Sequence, residues 1–418
     1  MSLISRTLAI LVVFGAASAV SAAGYPEFLV SYWCGPPAAE TTLQRYKEIA
    51  DCGFNVAFVP IDGKGDVEAN LKILELCQAV GIKVLIHDNR MGELFDEKRG
   101  FKTSQQLKKT LDAIVAQYSS HPALAGYHVC DEPNARMFPV LGAINQYLLK
   151  KDPKHPPFIN LFPNYATPAQ LGNKTYEEHV AQYIATVKPA LVCYDHYQQM
   201  FGREDAYFAN LEVVRALCLE ARLPFAQIVL TIPHFGYRNP SEADMRWQIY
   251  TSVAYGARGI LYFTYWYWNW KDAAQGPAII NAEGKPDVKY EILRRLNGRL
   301  KALGPLLMQM QSTGVYHTAP LPPGTRPLAA DAPVRQAAGG QMVIGCFKTT
   351  NMDRYVLVVN KTFNERFVAK LTLDKKTVAA SEISQETGKP LEATALKERT
   401  LEVPLEAGEG KLFLLNPK

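Results

Sequence analysis

The chain has 418 residues and a net charge of +5, a length that suits one large domain plus a smaller one rather than a single domain. Its 45 Lys and Arg and 40 Asp and Glu are interspersed along the chain, so there is no basic footprint for nucleic acid. The seven cysteines are an odd number, Cys130 and Cys193 lie inside apolar runs, and no CxxC pair or His-rich tract offers a structural metal site; most read as buried small hydrophobes.

The first residues, "MSLISRTLAILVVFGAASAVSAAG", carry one Arg, an apolar run from Leu8 to Phe14 and small residues ending in Ala-Val-Ser-Ala. This is the pattern of a secretory signal, so residues 1–23 are set apart from the fold and the mature protein is expected to be secreted or periplasmic. No later stretch has the roughly 18 uninterrupted apolar residues of a membrane span.

Eight apolar or β-branched runs then recur: "FLVSYW" from 28, "FNVAFVP" from 54, "KVLIHDN" from 83, "LAGYHVCDE" from 124, "PFINLFP" from 157, "PALVCYDHY" from 189, "PFAQIVLTI" from 224 and "GILYFTYW" from 259. Between them lie segments of helical spacing such as "TTLQRYKEIADCG", "EANLKILELCQAVG" and "SQQLKKTLDAIVAQY", with Gly53 and Gly81 placed as C-caps. Strands alternating with helices imply parallel pairing, and eight units over residues 24–311 predict an α/β fold, a (β/α)8 TIM barrel. An open doubly wound sheet would show a glycine-rich phosphate turn after its first strand, where this chain reads "WCGPPAAE".

Composition changes to a Pro- and Ala-rich connector over 312–335. Runs of period two follow, "MVIGCFK", "RYVLVVNKT", "FVAKLTL", "TLEVPLE" and "KLFLLN", which predict a C-terminal antiparallel β-sandwich over 336–418.

In such a barrel the chemistry gathers at the C-terminal ends of the strands. In order, these ends hold Tyr32 and Trp33; Asp62; His87, Asp88, Asn89 and Arg90; Asp131 and Glu132; Asn160 and Asn164; Asp195, His196 and Tyr197; His234; and Thr264, Tyr265, Trp266 and Trp268. Glu132 is the candidate general acid, because a carboxyl on the rim of an apolar, aromatic pocket has its pKa raised toward neutrality. Pro133 biases Glu132 toward an extended conformation, which would keep its carboxylate at the strand end. Asp131 either binds substrate or caps the next helix. The "YWYWNW" run at 265–270 suits stacking on the C–H faces of sugar rings beside polar groups for the hydroxyls, with Trp266 expected to face the pocket and other rings to pack. Trp33, Asp62, His87, Asp88, Arg90, Asn164, Tyr197, His234, Tyr265 and Trp268 complete the candidate substrate-binding set; Arg90 could meet a sugar carboxylate or pair with Asp88 or Glu93.

These features together resemble the large retaining clan of (β/α)8 glycoside hydrolases that includes β-galactosidases, cellulases and agarases. The stretch "RWQIYTSVAYGARGILYFTYW" is similar to the eighth-strand region of its β-galactosidase and agarase branch. The resemblance implies that Glu132 is the acid/base. It departs in two places: Asp131 stands where the clan has Asn, and the seventh strand ends "LTIPHFGYR" without the clan's nucleophilic Glu. Asp195 is then the best second carboxylate. As a water-activating base it should lie roughly 6.5–9.5 Å from Glu132, and as a nucleophile around 5–5.5 Å.

The sequence therefore predicts an enzyme, a glycoside hydrolase-like protein acting on an oligo- or polysaccharide, with no cofactor, nucleic acid or membrane partner. One alternative is a non-catalytic carbohydrate-binding barrel that has lost its nucleophile. Another is a metal-dependent barrel hydrolase built on His87, His128, His196 and His234.

Overall fold

The computed structural model describes residues 25–58, 60, 65–95, 102–202, 204–269 and 272–417. The N-terminal segment read as a signal and Asp62 lie outside the described residues.

All eight apolar runs form strands: β1 (Leu29–Trp33), β2 (Val56–Ala57), β3 (Lys83–His87), β4 (Leu124–Asp131), β5 (Pro157–Leu161), β6 (Val192–Asp195), β7 (Phe225–Leu230) and β8 (Gly259–Phe263). They pair in parallel in the order β1-β8-β7-β6-β5-β4-β3-β2. The gap between β1 and β2 is bridged by Gly35 against Pro60 and by Asn55, whose backbone N–H donates to Val30 O at 3.1 Å while its side-chain oxygen accepts from Val30 N at 2.9 Å. A side chain thus supplies part of the ladder that the short β2 cannot. Strands covered on both faces carry continuous apolar runs, and β5 and β7 are buried throughout. Gly126 in β4 is required by closeness, since a Cβ there would stand 2.2 Å from Pro156 O.

The helices are α1 (Leu43–Asp51), α2 (Val67–Val80), α3 (Asn89–Gly92), α4 (Ser104–Tyr118), α5 (Phe138–Lys151), α6 (Pro168–Leu171), α7 (Tyr176–Val187), α8 (Glu204–Ala221), α9 (Glu242–Ala254) and α10 (Val288–Leu307). Side-chain caps start many of them, among them Thr42, Asp66, Thr103, Thr175 and Ser241. Gly81 caps α2 in the left-handed conformation, φ 76°.

The C-terminal strands are β9 (Gln311–His317), β10 (Val334–Ala338), β11 (Met342–Lys348), β12 (Arg354–Asn360), β13 (Phe367–Leu373), β14 (Thr377–Glu382), β15 (Thr394–Ala395), β16 (Thr400–Leu405) and β17 (Gly410–Pro417). They form a three-stranded sheet, β10-β13-β16, and a six-stranded one, β15-β14-β17-β12-β11-β9. The segment expected to be connector therefore begins as a strand, β9, paired antiparallel with β11. Its residues, "QSTGVYH", include the strand-favouring Thr, Val and Tyr, but Gly314 and the flanking Gln and Ser break the pattern, and the partner strand decides. The same holds for the Ala- and Ser-rich β14, held by β17.

The six-stranded sheet seats on α9. Trp247 of that helix is fully buried and donates its indole N–H to Lys361 O at 3.0 Å, and a Cβ on Gly345 of β11 would stand 2.4 Å from Ala254 O. With the barrel on one side and the sheet on the other, α9 has no solvent face over most of its length: Met245 through Ala254, apart from Arg246, are buried, the polar Gln248, Thr251 and Ser252 included. The core is continuous from the barrel into Val343, Leu357 and Leu412 of the sheet.

Candidate active site

Strands β4, β5 and β6 bring three carboxyl groups and one amide together at the barrel mouth. Asn160 of β5 donates its side-chain N–H groups to Asp131 Oδ1 and to Asp195 Oδ1, each at 3.0 Å. The Glu132 carboxyl is coupled to that of Asp195, whose charge and hydrogen bonding raise its pKa. The result is a chain, Asp131–Asn160–Asp195–Glu132, drawn from three neighbouring strand ends.

The backbone at Glu132 is left-handed, φ 45°, where Pro133 was expected to hold it extended. Its N–H donates to Asn160 O at 2.8 Å, closing the β4–β5 ladder one residue beyond the strand. The chain must turn away at that point, and Glu132 takes a conformation that costs a non-glycine residue about 1–2 kcal/mol.

Burial is the first cause of raised acidity constants here. It lifts Glu132, and the negative charges of Asp195 and Asp131 lift it further. Burial also raises Asp195, while Asn160's donation opposes the rise. The two contacting groups share one proton, and it belongs on Glu132, because Asp195 already accepts from Asn160 and so is stabilised as the anion. Asp131 is open to solvent at the mouth yet deep enough among protein atoms that desolvation pushes it up to about 6, with Asn160 pulling the other way. At neutral pH the site holds one neutral acid beside carboxylate character.

Aromatic rings flank the acids. Tyr197 is buried and feels the charges of Asp195, Glu132 and Asp131; its ring lies 6.0 Å from His234 and 5.6 Å from Phe263. Trp268 meets Phe263 edge-on at 5.8 Å. Near β1, Trp33 stacks on Phe58 at 4.3 Å, and both touch the ring of His128. His87 lies 5.3 Å from His128; burial keeps both imidazoles neutral, lowering His128 to about 3. Tyr165, in the loop after β5, feels the Asp195 charge and hydrogen-bonds Tyr237.

Other residues expected at the site do different work. Asp88 caps α3, pairs through both oxygens with Arg90 (2.8 and 2.7 Å) and accepts from Tyr118 OH at 2.8 Å. Arg90 is therefore an ordinary ion-pair partner, and Asp88's carboxyl is held below its usual range. Asn164 ties the β5 loop to α8 through Ala206 O at 2.8 Å and faces His196 at 3.2 Å. Tyr265 donates to Glu48 at 2.7 Å from inside the core. Trp266 is buried under the Arg45 guanidinium, 5.1 Å from its ring centroid, and against Gly284, where it was expected in the pocket. The cause is the path of the chain: beyond β8, Tyr265 N–H donates to Trp33 O and Trp266 N–H to Cys34 O, both at 3.0 Å. This continued pairing with the end of β1 carries both rings to the α1 side.

Glu242 and Asp244 serve the start of α9, Glu242 pairing with Arg246 and Asp244 with Arg238 and the Ser241 cap. Nor do the four histidines converge: His196 faces Asn164 and Gln199, while His234 faces Ile232 O. Among the described residues no group of three or more His, Cys, Asp or Glu side chains is placed to hold a metal ion.

Three rim residues went unremarked in the sequence, Phe263, Tyr165 and Tyr237. Phe263 had a signal, being the last residue of β8; the two tyrosines sit in loops, where local pattern says nothing about direction.

Comparison with solved structures gives the same architecture. A β-galactosidase from Bacillus circulans sp. alkalophilus superposes with a TM-score of 0.61 at 10% identity, covering 94% of this chain and 99% of that one. The fold is that of the (β/α)8 glycoside hydrolases, in a divergent form. A family 42 β-galactosidase from G. stearothermophilus gives 0.58 at 9% identity over 93% and 98% of the two chains. A glycoside hydrolase family 5 protein from Bacteroides vulgatus gives 0.56 at 14% identity over 93% and 89%. No protein-family model and no curated protein matches the chain. Among the described residues no helix is long and apolar enough to cross a membrane.

Proposed function

We propose that this chain is an exported glycoside hydrolase acting on an oligo- or polysaccharide, with Glu132 as general acid. The observation that carries the reading is the coupling of Glu132, raised by burial and by the Asp195 charge, to an Asp195 whose burial-driven rise the Asn160 amide opposes. Glycoside cleavage needs that division, one carboxyl to give a proton and one to meet the anomeric carbon or its water.

Glu132 would protonate the glycosidic oxygen as the bond to the anomeric carbon breaks. A water-activating Asp195 calls for a gap of roughly 6.5–9.5 Å and a nucleophilic one for about 5–5.5 Å, and two carboxyls close enough to be coupled stand nearer the second. The closer arrangement favours Asp195 as nucleophile: its oxygen bonds the anomeric carbon, and Glu132, now a carboxylate, takes a proton from the water that displaces Asp195. The anomeric configuration is then retained. Tyr197, Phe263 and Trp268 offer aromatic faces to the sugar, and Asp131 a hydroxyl partner.

The test is product formation from a panel of plant and algal polysaccharides, wild type beside Glu132→Gln, with the anomer of fresh product read by NMR. Cleavage lost in the variant and a retained anomer support the reading. An inverted anomer makes Asp195 the base, and a wild type that binds glycan but never cleaves any replaces hydrolysis with sugar binding.

A further inference from the structure

The sandwich carries a groove of about 810 Å³, in the upper part of the range of small-molecule sites, about 300–1,000 Å³. Strand ends and turns line it with Arg335, Lys348, Arg354, Lys375, Lys376 and Arg399, against two carboxylates, Asp331 and Asp374. The whole chain has a net charge of only +5, so most of its excess positive charge is gathered in one place.

Five of these six cations have no ion-pair partner among the described residues. Arg354 is held by Asp374 and by Thr377 Oγ1 at 2.9 Å, which consumes the nearer carboxylate. Among the described residues Arg335, Lys348, Lys375, Lys376 and Arg399 make no ion pair, whereas Lys370 and Lys411 of the same domain pair with Glu402 and Glu382. Unpaired like charges around one groove repel one another, a cost that a bound polyanion would remove.

The backbone adds a second observation. Arg399 follows Glu398 in a two-residue turn closed by Thr400 N–H to Lys397 O at 2.9 Å, and both are left-handed, φ 60° and 49°. Asn-Gly would sit there at less cost. Met352, φ 68° and 69% exposed, lines the same groove. Two strained positions thus present a guanidinium and an adaptable apolar side chain to one cleft.

We infer that this groove is an accessory site for an anionic polysaccharide, one bearing sulfate or carboxylate groups along its chain. Lysine ammoniums meet such groups as point charges and arginines as forks, while the Met352 thioether suits the C–H face of a sugar ring. The choice of a glycan over other polyanions rests on the proposed glycosidase activity, and the groove would hold the polymer while the barrel cuts it.

The experiment measures binding of the full chain by affinity electrophoresis and calorimetry. Probes are a sulfated galactan, a polyuronate, neutral galactan, duplex DNA and phosphatidylserine vesicles, each at low and raised salt. The variant combines Lys375→Ala, Lys376→Ala and Arg399→Ala, all exposed residues, with Arg335→Ala as a separate, milder change. Tightest binding to either charged glycan, weakened by salt, and a loss of about 10- to 100-fold in the triple variant at unchanged melting temperature, support the inference. Equal binding of neutral galactan, a triple variant that binds like wild type, or tighter binding of DNA or vesicles overturns it. Glu132→Gln separates the two readings: it leaves groove binding intact whether or not the barrel proves to be a glycosidase.

Discussion

Replacing Asp195 with Asn should lower the acidity constant of Glu132, and the size of the fall can be bounded. Hydrogen-bonded carboxyls have oxygens about 2.7 Å apart, which puts the charge centres about 4 Å apart. The repulsion is about 1 kcal/mol if water screens it fully and about 4 kcal/mol at an effective dielectric constant of 20. At 1.36 kcal/mol per pH unit that is about 1–3 units. Burial ranks ahead of the Asp195 charge among the causes, and the Asp131 charge remains in the variant, so the lower part of the range applies, about 1–2 units. The assay is a carbon-13 NMR titration of Glu132, which needs no substrate. In the wild type Glu132 should stay protonated through neutral pH; in Asp195→Asn its midpoint should move down while staying above an ordinary glutamate. A wild-type Glu132 that ionises in the ordinary carboxylate range, or a midpoint unmoved by the substitution, would refute the shared-proton argument.

Three further outcomes follow from the same geometry. A carboxyl whose pKa is raised by folding makes the folded state bind the extra proton, so its stabilising share is present at low pH and is lost as pH rises from about 4.3, the unfolded value, toward the folded one; Glu132→Gln should therefore melt above wild type, by a margin that widens from pH 5 to pH 9 in calorimetry. Asn160→Ala removes two charge-assisted hydrogen bonds worth roughly 1.5–3 kcal/mol each, so Asp131 and Asp195 should ionise at higher pH, and the acidic limb of the pH–rate profile should move up with turnover at pH 6 falling about 100-fold; an unmoved limb would show that Asn160 holds structure alone. Trp266→Ala should cost about 3–5 kcal/mol of stability with KM unchanged, whereas Phe263→Ala at the mouth should raise KM at little cost in melting temperature; the reverse pattern would return Trp266 to the pocket.

The eight barrel strands and most of the sandwich are legible in the sequence because they rest on local signals. Continuous apolar runs mark strands covered on both faces, helical spacing lies between them, and Gly81 stops α2 where a left-handed residue is needed. The position of Glu132 and Asp195 at strand ends follows from the same counting. β9, β10, β14 and β15 were illegible because Gly, Ala, Ser and charged residues interrupt the period-two pattern, and each takes its strand from a partner, β11, β13, β17 and β14. What the strand-end residues touch is a different matter. Asn160 bridges two acids only because β5 runs between β4 and β6 in register, and Glu132 reaches Asp195 after a left-handed turn that Pro133 argues against. Trp266 leaves the pocket because its N–H pairs with Cys34, and Arg45 crosses its ring while donating to Gly284 O, 239 positions along the chain. Periodicity fixes which residues reach the mouth of a barrel. Which of them meet there depends on register, closure and the path of the chain beyond each strand, and those are set by contacts between residues that no local pattern connects.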